Sequence, residues 1–221
     1  MKIAIITAMA SEFASVKSLY DFKGNDTEAT AVAHGKEILL IKSGMGKVNA
    51  AVAAMEAINK GADIIINTGL AGGIDSSLNQ CDIVLANKVC YHDVWCGEPN
   101  KVGQMQDLPL YYETSPALLK QIEKSAPHFK VGLAVTGDQF LTDVERLKEI
   151  KSTFPEALAV DMESAAIGQV AFLMHKQFIS LRIISDVVGK EGQLESYEKF
   201  KQDTPKTAAE MVDIALSAIK G

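Results

Sequence analysis

Short apolar runs rich in Ile, Val and Leu recur along the chain, at 2–7, 38–42, 64–67, 83–86, 131–135 and 179–184. They read as strands with no polar face. Such a strand is buried on both sides, so its sheet must be covered by helices above and below. Helical patterns fall between the runs, at 11–20, 46–59 and 163–174. Gly61 stands where a helix-ending glycine belongs. Thr142-Asp143-Val144-Glu145 reads as a capping box with Thr142 as N-cap. Thr204-Pro205 reads as the N-cap and first turn of a last helix reaching about 219. Residues 30–33 and 38–42 flank His34-Gly35 as a hairpin, which makes the sheet mixed. A three-layer α/β/α sandwich around a mixed, mostly parallel sheet is therefore expected. No linker or internal repeat divides residues 1–221, so one domain is expected.

Composition excludes several classes. Hydrophobic residues make up 48% of the 221 and charged residues 23%, an ordinary globular balance. A net charge of −6 gives little affinity for nucleic acid, where Lys and Arg must neutralise phosphates. No apolar stretch approaches the ~20 residues of a membrane span. The N-terminal run is shorter than the ~7–15 residues of a signal-peptide core, so a cytoplasmic protein is expected. Cys81, Cys90 and Cys96 are odd in number and form no CxxC, so reduced thiols are expected. The four histidines lack metal-ligand spacing, and no metal is expected.

In α/β sheets ligands bind at the carboxyl ends of strands. Polar residues follow four of the runs. Glu12 follows the first, at a helix start, where it could equally be a first-turn acid complementing the helix dipole. Asn67-Thr68-Gly69-Leu70-Ala71-Gly72-Gly73 offers glycines for a tight turn or a ligand loop, and Ser43-Gly44-Met45-Gly46-Lys47 is similar. Asp161-Met162-Glu163 meets a helix N-terminus, where an acid either holds sugar hydroxyls or simply caps the helix. Asp186 follows the last run; apolar surroundings would suit it as a general acid, and a loop Asp bonding its own backbone is the alternative. Taken together, an acid, a base and sugar acceptors fit cleavage of a glycosidic bond.

The chain resembles the 5′-methylthioadenosine/S-adenosylhomocysteine nucleosidases of the nucleoside phosphorylase superfamily. The likeness runs nearly end to end. It is carried by Ile3-Ala4-Ile5-Ile6 to Glu12, Ser43 to Val48, Ile65 to Gly73 and Tyr91-His92-Asp93. It continues in Gly137-Asp138-Gln139-Phe140, Val160-Asp161-Met162-Glu163 and Ile184-Ser185-Asp186. The resemblance implies a nucleoside phosphorylase-like fold and adenine release from those two nucleosides, a step of methionine salvage. It makes Glu12 the base acting on water and Asp186 the donor to purine N7. Glu163 would accept the ribose hydroxyls, with Met162 packed on the sugar. Phe140 would stack on the base and the Leu141 backbone would read its edge. Met9, Met45 and Tyr197 would line the 5′-thio pocket, and Gly69 and Ser185 would also touch substrate. It implies a homodimer whose partner closes the 5′ pocket, and no cofactor.

Relatives that use phosphate hold it with arginines, and this chain has Asn67 and Ala8-Met9-Ala10-Ser11 at those places. Water is thus expected as nucleophile. The chain departs from the usual pattern at Leu70 and Thr136, each in place of a serine, and over 94–112, which would shape the 5′ end. Alternatives are a purine nucleoside phosphorylase, a futalosine hydrolase and a non-catalytic nucleoside-binding protein.

Overall fold

A computed structural model describes residues 1–189, 192–203 and 205–220. The chain runs β1 (Lys2–Thr7), α1 (Ala10–Lys17), β2 (Lys23–Gly24), β3 (Glu28–Ala33), β4 (Lys36–Lys42) and α2 (Lys47–Asn59). Next come β5 (Ile64–Gly73), β6 (Ile83–Tyr91), β7 (Tyr112–Glu113), α3 (Pro116–Ser125), β8 (Lys130–Thr136) and α4 (Val144–Thr153). The last elements are β9 (Ala157–Asp161), α5 (Ser164–Leu173), β10 (Gln177–Val187), α6 (Gln193–Asp203) and α7 (Pro205–Ala218).

The sheet is mixed and has helices on both sides, as the apolar runs require. Alternate residues of one strand feed different cores. Ile3 and Ile5 of β1 and Ile38 and Leu40 of β4 pack with Phe13, Val16, Ile122 and Val212, from α1, α3 and α7. Ala4, Ile6, Leu39 and Ile41 face the other way, onto the alanines of α2 and onto Ala165 and Ile167 of α5. The small alanine face of α2 lets that helix lie close to the sheet.

The strand order is β10-β6-β8-β9-β5-β1-β4-β3-β2, with β7 on β6. β10 also pairs with β5 along Gln177↔Ile64 to Val187↔Gly73, so five strands close into a ring. The longest ladders, β10–β5, β6–β8 and β1–β4, are parallel apart from the β3–β4 hairpin of comparable length.

This closure corrects one expectation. The glycines after Asn67 form no turn but continue β5 to Gly73. A Cβ on Gly72 would lie 3.0 Å from Val188 Cγ2, and one on Gly73 3.0 Å from Ile184 Cγ2. Glycine lets the strands approach where the ring closes. For the same reason β10 runs past its apolar run, and Asp186 lies inside it, at a register shift between Ile184 and Asp186.

Other boundaries move too. Asp143, not Thr142, caps α4, its Oδ1 accepting from Glu145 N at 2.8 Å. α1 stops at Lys17 because Ser18 Oγ bonds back to Ser15 O at 2.7 Å and Leu19 N to Val16 O at 3.1 Å, tightening the last turn. The proposed cap Thr204 lies outside the described residues. Helices α3 and α6 were not foreseen; α6 is rich in charge, whereas α3 carries the apolar face Leu118, Leu119 and Ile122 behind a first-turn Pro116, a signal that was available. Among the described residues no helix is long and apolar enough to cross a membrane. All three cysteines are free, with Cys90 buried.

Candidate active site

The strand ends open into one cleft of about 570 Å³ of empty space, part of it open to solvent. Its walls include Met9, Glu12, Met45, Phe140, Leu141, Met162, Glu163, Ser185, Asp186 and Tyr197. Of the residues expected at the site, Gly69 alone is off this lining. It sits behind, where a Cβ would lie 2.6 Å from Glu12 Oε1 and 3.0 Å from Arg182 Nη1. Its role is to leave room for those two groups.

Glu12 closes a helix start and also lines the cleft. It is the third residue of α1, and its Oε2 accepts from Ala8 N and Met9 N, each at 2.9 Å, closing the helix start. Oε1 accepts from Leu70 N at 2.9 Å, from β5. Burial raises the carboxyl's pKa, opposed by the backbone donors and by Arg182. The outcome is a carboxylate more basic than one in water.

Asp161 and Glu163 both line the cleft but differ in their partners. Asp161 Oδ1 accepts from Glu163 N and Ser164 N, both at 3.0 Å, and so caps α5. It also takes Thr136 Oγ1 at 2.7 Å. Glu163 makes no capping bond and turns to the cleft. Its Oε1 accepts from Gly46 N at 3.1 Å and its Oε2 from Arg182 Nη1 at 3.4 Å. Burial is the main force lifting Glu163 to about 7; Arg182 opposes it, and Asp161 and Glu12 add to it.

Asp186 Oδ1 accepts from Ser185 Oγ at 2.6 Å and Oδ2 from Gln193 Nε2 at 2.8 Å. Burial raises its pKa against both donors. The loop alternative fails, since both partners are side chains. Phe140 is half-exposed and tilts against Tyr197, ring centres 5.0 Å apart. Tyr197 Oη donates to Met9 Sδ at 3.7 Å. The cleft thus joins an apolar, sulfur-rich wall to four carboxylates.

The sequence matches the phosphorylase superfamily over residues 2–220. A Bacillus pumilus protein named 5′-methylthioadenosine/S-adenosylhomocysteine nucleosidase is 38% identical, over 100% of this chain and 99% of its own. The chain belongs to that nucleosidase family. The structure of an S-adenosylhomocysteine nucleosidase from Streptococcus pyogenes, in complex with 5-methylthiotubericidin, superposes with a TM-score of 0.94 at 32% identity, over 100% of this chain and 98% of that one. A futalosine hydrolase mutant of Helicobacter pylori superposes with 0.91 at 26% identity, over 99% and 100%.

Within this nucleosidase-family site, sequence reasoning missed Arg182 and Gln193. Arg182 is 1% exposed in the middle of β10. Nε lies 3.1 Å from Asp161 Oδ2, Nη1 donates to Leu70 O at 3.3 Å, and Nη2 donates to Asn67 Oδ1 and to Ser164 Oγ. A lone Arg in an apolar strand was the available signal, because a buried charge needs partners. Gln193 carried no such signal.

Proposed function

We propose that this chain hydrolyses 5′-methylthioadenosine and S-adenosylhomocysteine, releasing adenine by water attack at the ribose anomeric carbon. One observation carries the choice of water. Glu12, Asp161, Glu163 and Asp186 all line the cleft, and among the described lining residues there is no Lys, Arg or His. A phosphate there would meet negative charge and no free cation. Arg182 lies behind the wall, already engaged by Asp161 and Glu163.

In this reading Glu163 accepts the ribose hydroxyls and Met162 packs on the sugar. Phe140 stacks on the purine, while the Leu141 backbone reads its edge. As the bond from the anomeric carbon to the base breaks, Asp186 gives its proton to purine N7 and adenine leaves neutral. Glu12 takes a proton from the attacking water, whose oxygen becomes the new hydroxyl. Met9, Met45 and Tyr197 receive the 5′ sulfur, whose polarisable surface suits that lining.

The working form is a homodimer in the cytoplasm, serving methionine salvage. Met45, Val48 and Val52, at and along the start of α2, are 58%, 74% and 54% exposed. They form an apolar stripe beside the open 5′ end, which a second copy would cover.

The test is adenine release from both nucleosides in phosphate-free buffer, repeated with phosphate. Release without phosphate, unchanged by adding it, is expected. Release only with phosphate makes the protein a phosphorylase. Release from futalosine alone moves it to that branch, and binding without release leaves a binding protein.

A further inference from the structure

Gln193, at the start of α6, is 8% exposed, and its amide is fully committed. Oε1 accepts from Gly189 N at 3.0 Å. Nε2 donates to Leu141 O at 2.9 Å and to Asp186 Oδ2 at 2.8 Å. The amide can face only one way. Turned over, its oxygen would meet two acceptors and its NH₂ would meet an N–H. One side chain therefore joins three segments: the loop between β8 and α4 that carries Phe140, the end of β10, and the turn before α6.

These are the segments that hold the purine and its acid. Ser185 Oγ grips the other carboxyl oxygen of Asp186 at 2.6 Å. Ser185 is the neighbour of Asp186 in β10, and its Oγ also lies 3.3 Å from Ala71 O of β5, so it ties the acid to the strand ladder and not to the base-binding loop. Gln193 is the clamp that comes from outside the strand.

We infer that Gln193 is a positioning residue for proton delivery, setting the aim of the Asp186 carboxyl relative to the base-binding loop. The inference rests on Asp186 being the acid of the proposed reaction. Two consequences follow from the geometry. Without the amide, the loop and the acid are no longer held in mutual register, and proton transfer is sensitive to such misplacement. Without the donor to Oδ2, the ionised carboxyl also loses a stabilising bond and keeps its proton to higher pH.

The experiment is Gln193→Met, of similar length but with no donor, assayed with methylthioadenosine across pH, beside Gln193→Glu and Asp186→Asn. The expected result is a kcat lower by about tenfold or more. The limb on which kcat falls with rising pH should move upward by about half a unit. Gln193→Glu, which sets a second carboxyl against Asp186, should move the limb at least as far, and it serves if the Met variant melts below the assay temperature. An unchanged kcat, with or without a change in KM, overturns the inference. So does a lower kcat with the limb unmoved, because general loosening of the site lowers the rate at every pH alike. Turnover retained by Asp186→Asn would instead remove the acid from the proposed reaction, whatever the Gln193 variants do.

Discussion

Arg182 Nη1 stands 3.4 Å from Glu163 Oε2, with both side chains buried. The same guanidinium reaches Asp161 Oδ2 at 3.1 Å, and its charge also acts on Glu12. One buried cation thus serves a group of carboxylates. Removing one partner of such a group costs about 3–5 kcal/mol where it strands a buried charge. Removing a surplus carboxylate has the opposite sign.

Glu163→Gln should therefore stabilise the fold while abolishing useful turnover. Burial lifts the Glu163 pKa from 4.5 to about 7. Below the lower value both folded and unfolded chains hold the proton, and the group contributes nothing. Between the two values the unfolded chain releases a proton that the folded one keeps, so stability falls as pH rises. The cost is complete above the folded value, with a ceiling of about 3 kcal/mol. Melting curves at pH 8 should place Glu163→Gln above wild type, the gap closing toward pH 4. A variant that melts lower at pH 8 would show that its bonds to Gly46 and Arg182 outweigh the burial cost.

Glu12→Gln and Asp186→Asn should each lower kcat by about 10²–10⁴ while the chain stays folded. Glu12→Gln brings an NH₂ toward a ring of three backbone donors, so one of those bonds is also lost. Steady-state kinetics beside circular dichroism separates the two effects. Turnover within a few-fold of wild type would remove the role assigned to that residue.

Val52→Lys should dissociate the proposed dimer. A Lys on the exposed stripe of α2 meets its own copy across a two-fold axis and repels it. Sedimentation should then give a monomer. The KM for methylthioadenosine should rise, since the 5′ end stands open. A variant that sediments unchanged as a dimer moves the partner surface elsewhere, and a wild type that is already monomeric overturns the dimer.

Much of the frame was legible in the chain. The run Ile3-Ala4-Ile5-Ile6 has no polar face, and each of its sides meets a different helical layer. Glu12, Glu163 and Asp186 were legible as a group and not singly: each had a capping or turn reading of its own, and it was their gathering at strand ends, with the family resemblance, that pointed to a site. Arg182 was legible in principle, being a charge inside such a run. Gln193 was not. Its partners Asp186 and Leu141 are 7 and 52 residues away, and nothing in its own neighbourhood, Gly192-Gln193-Leu194, points to either.

Periodicity and residue type determined which segments are strands, which faces are buried and where the acids gather, because burial of apolar surface acts locally on pattern. The tertiary structure decided which groups each acid bonds. Asp161 caps α5 because the helix amides point at it, and that leaves Glu163 for the cleft. Gly72 and Gly73 close the ring because Val188 and Ile184 come within 3.0 Å of where a side chain would begin. Hydrogen bonds and buried charges depend on partners brought together through space, and spacing along the chain does not contain those distances.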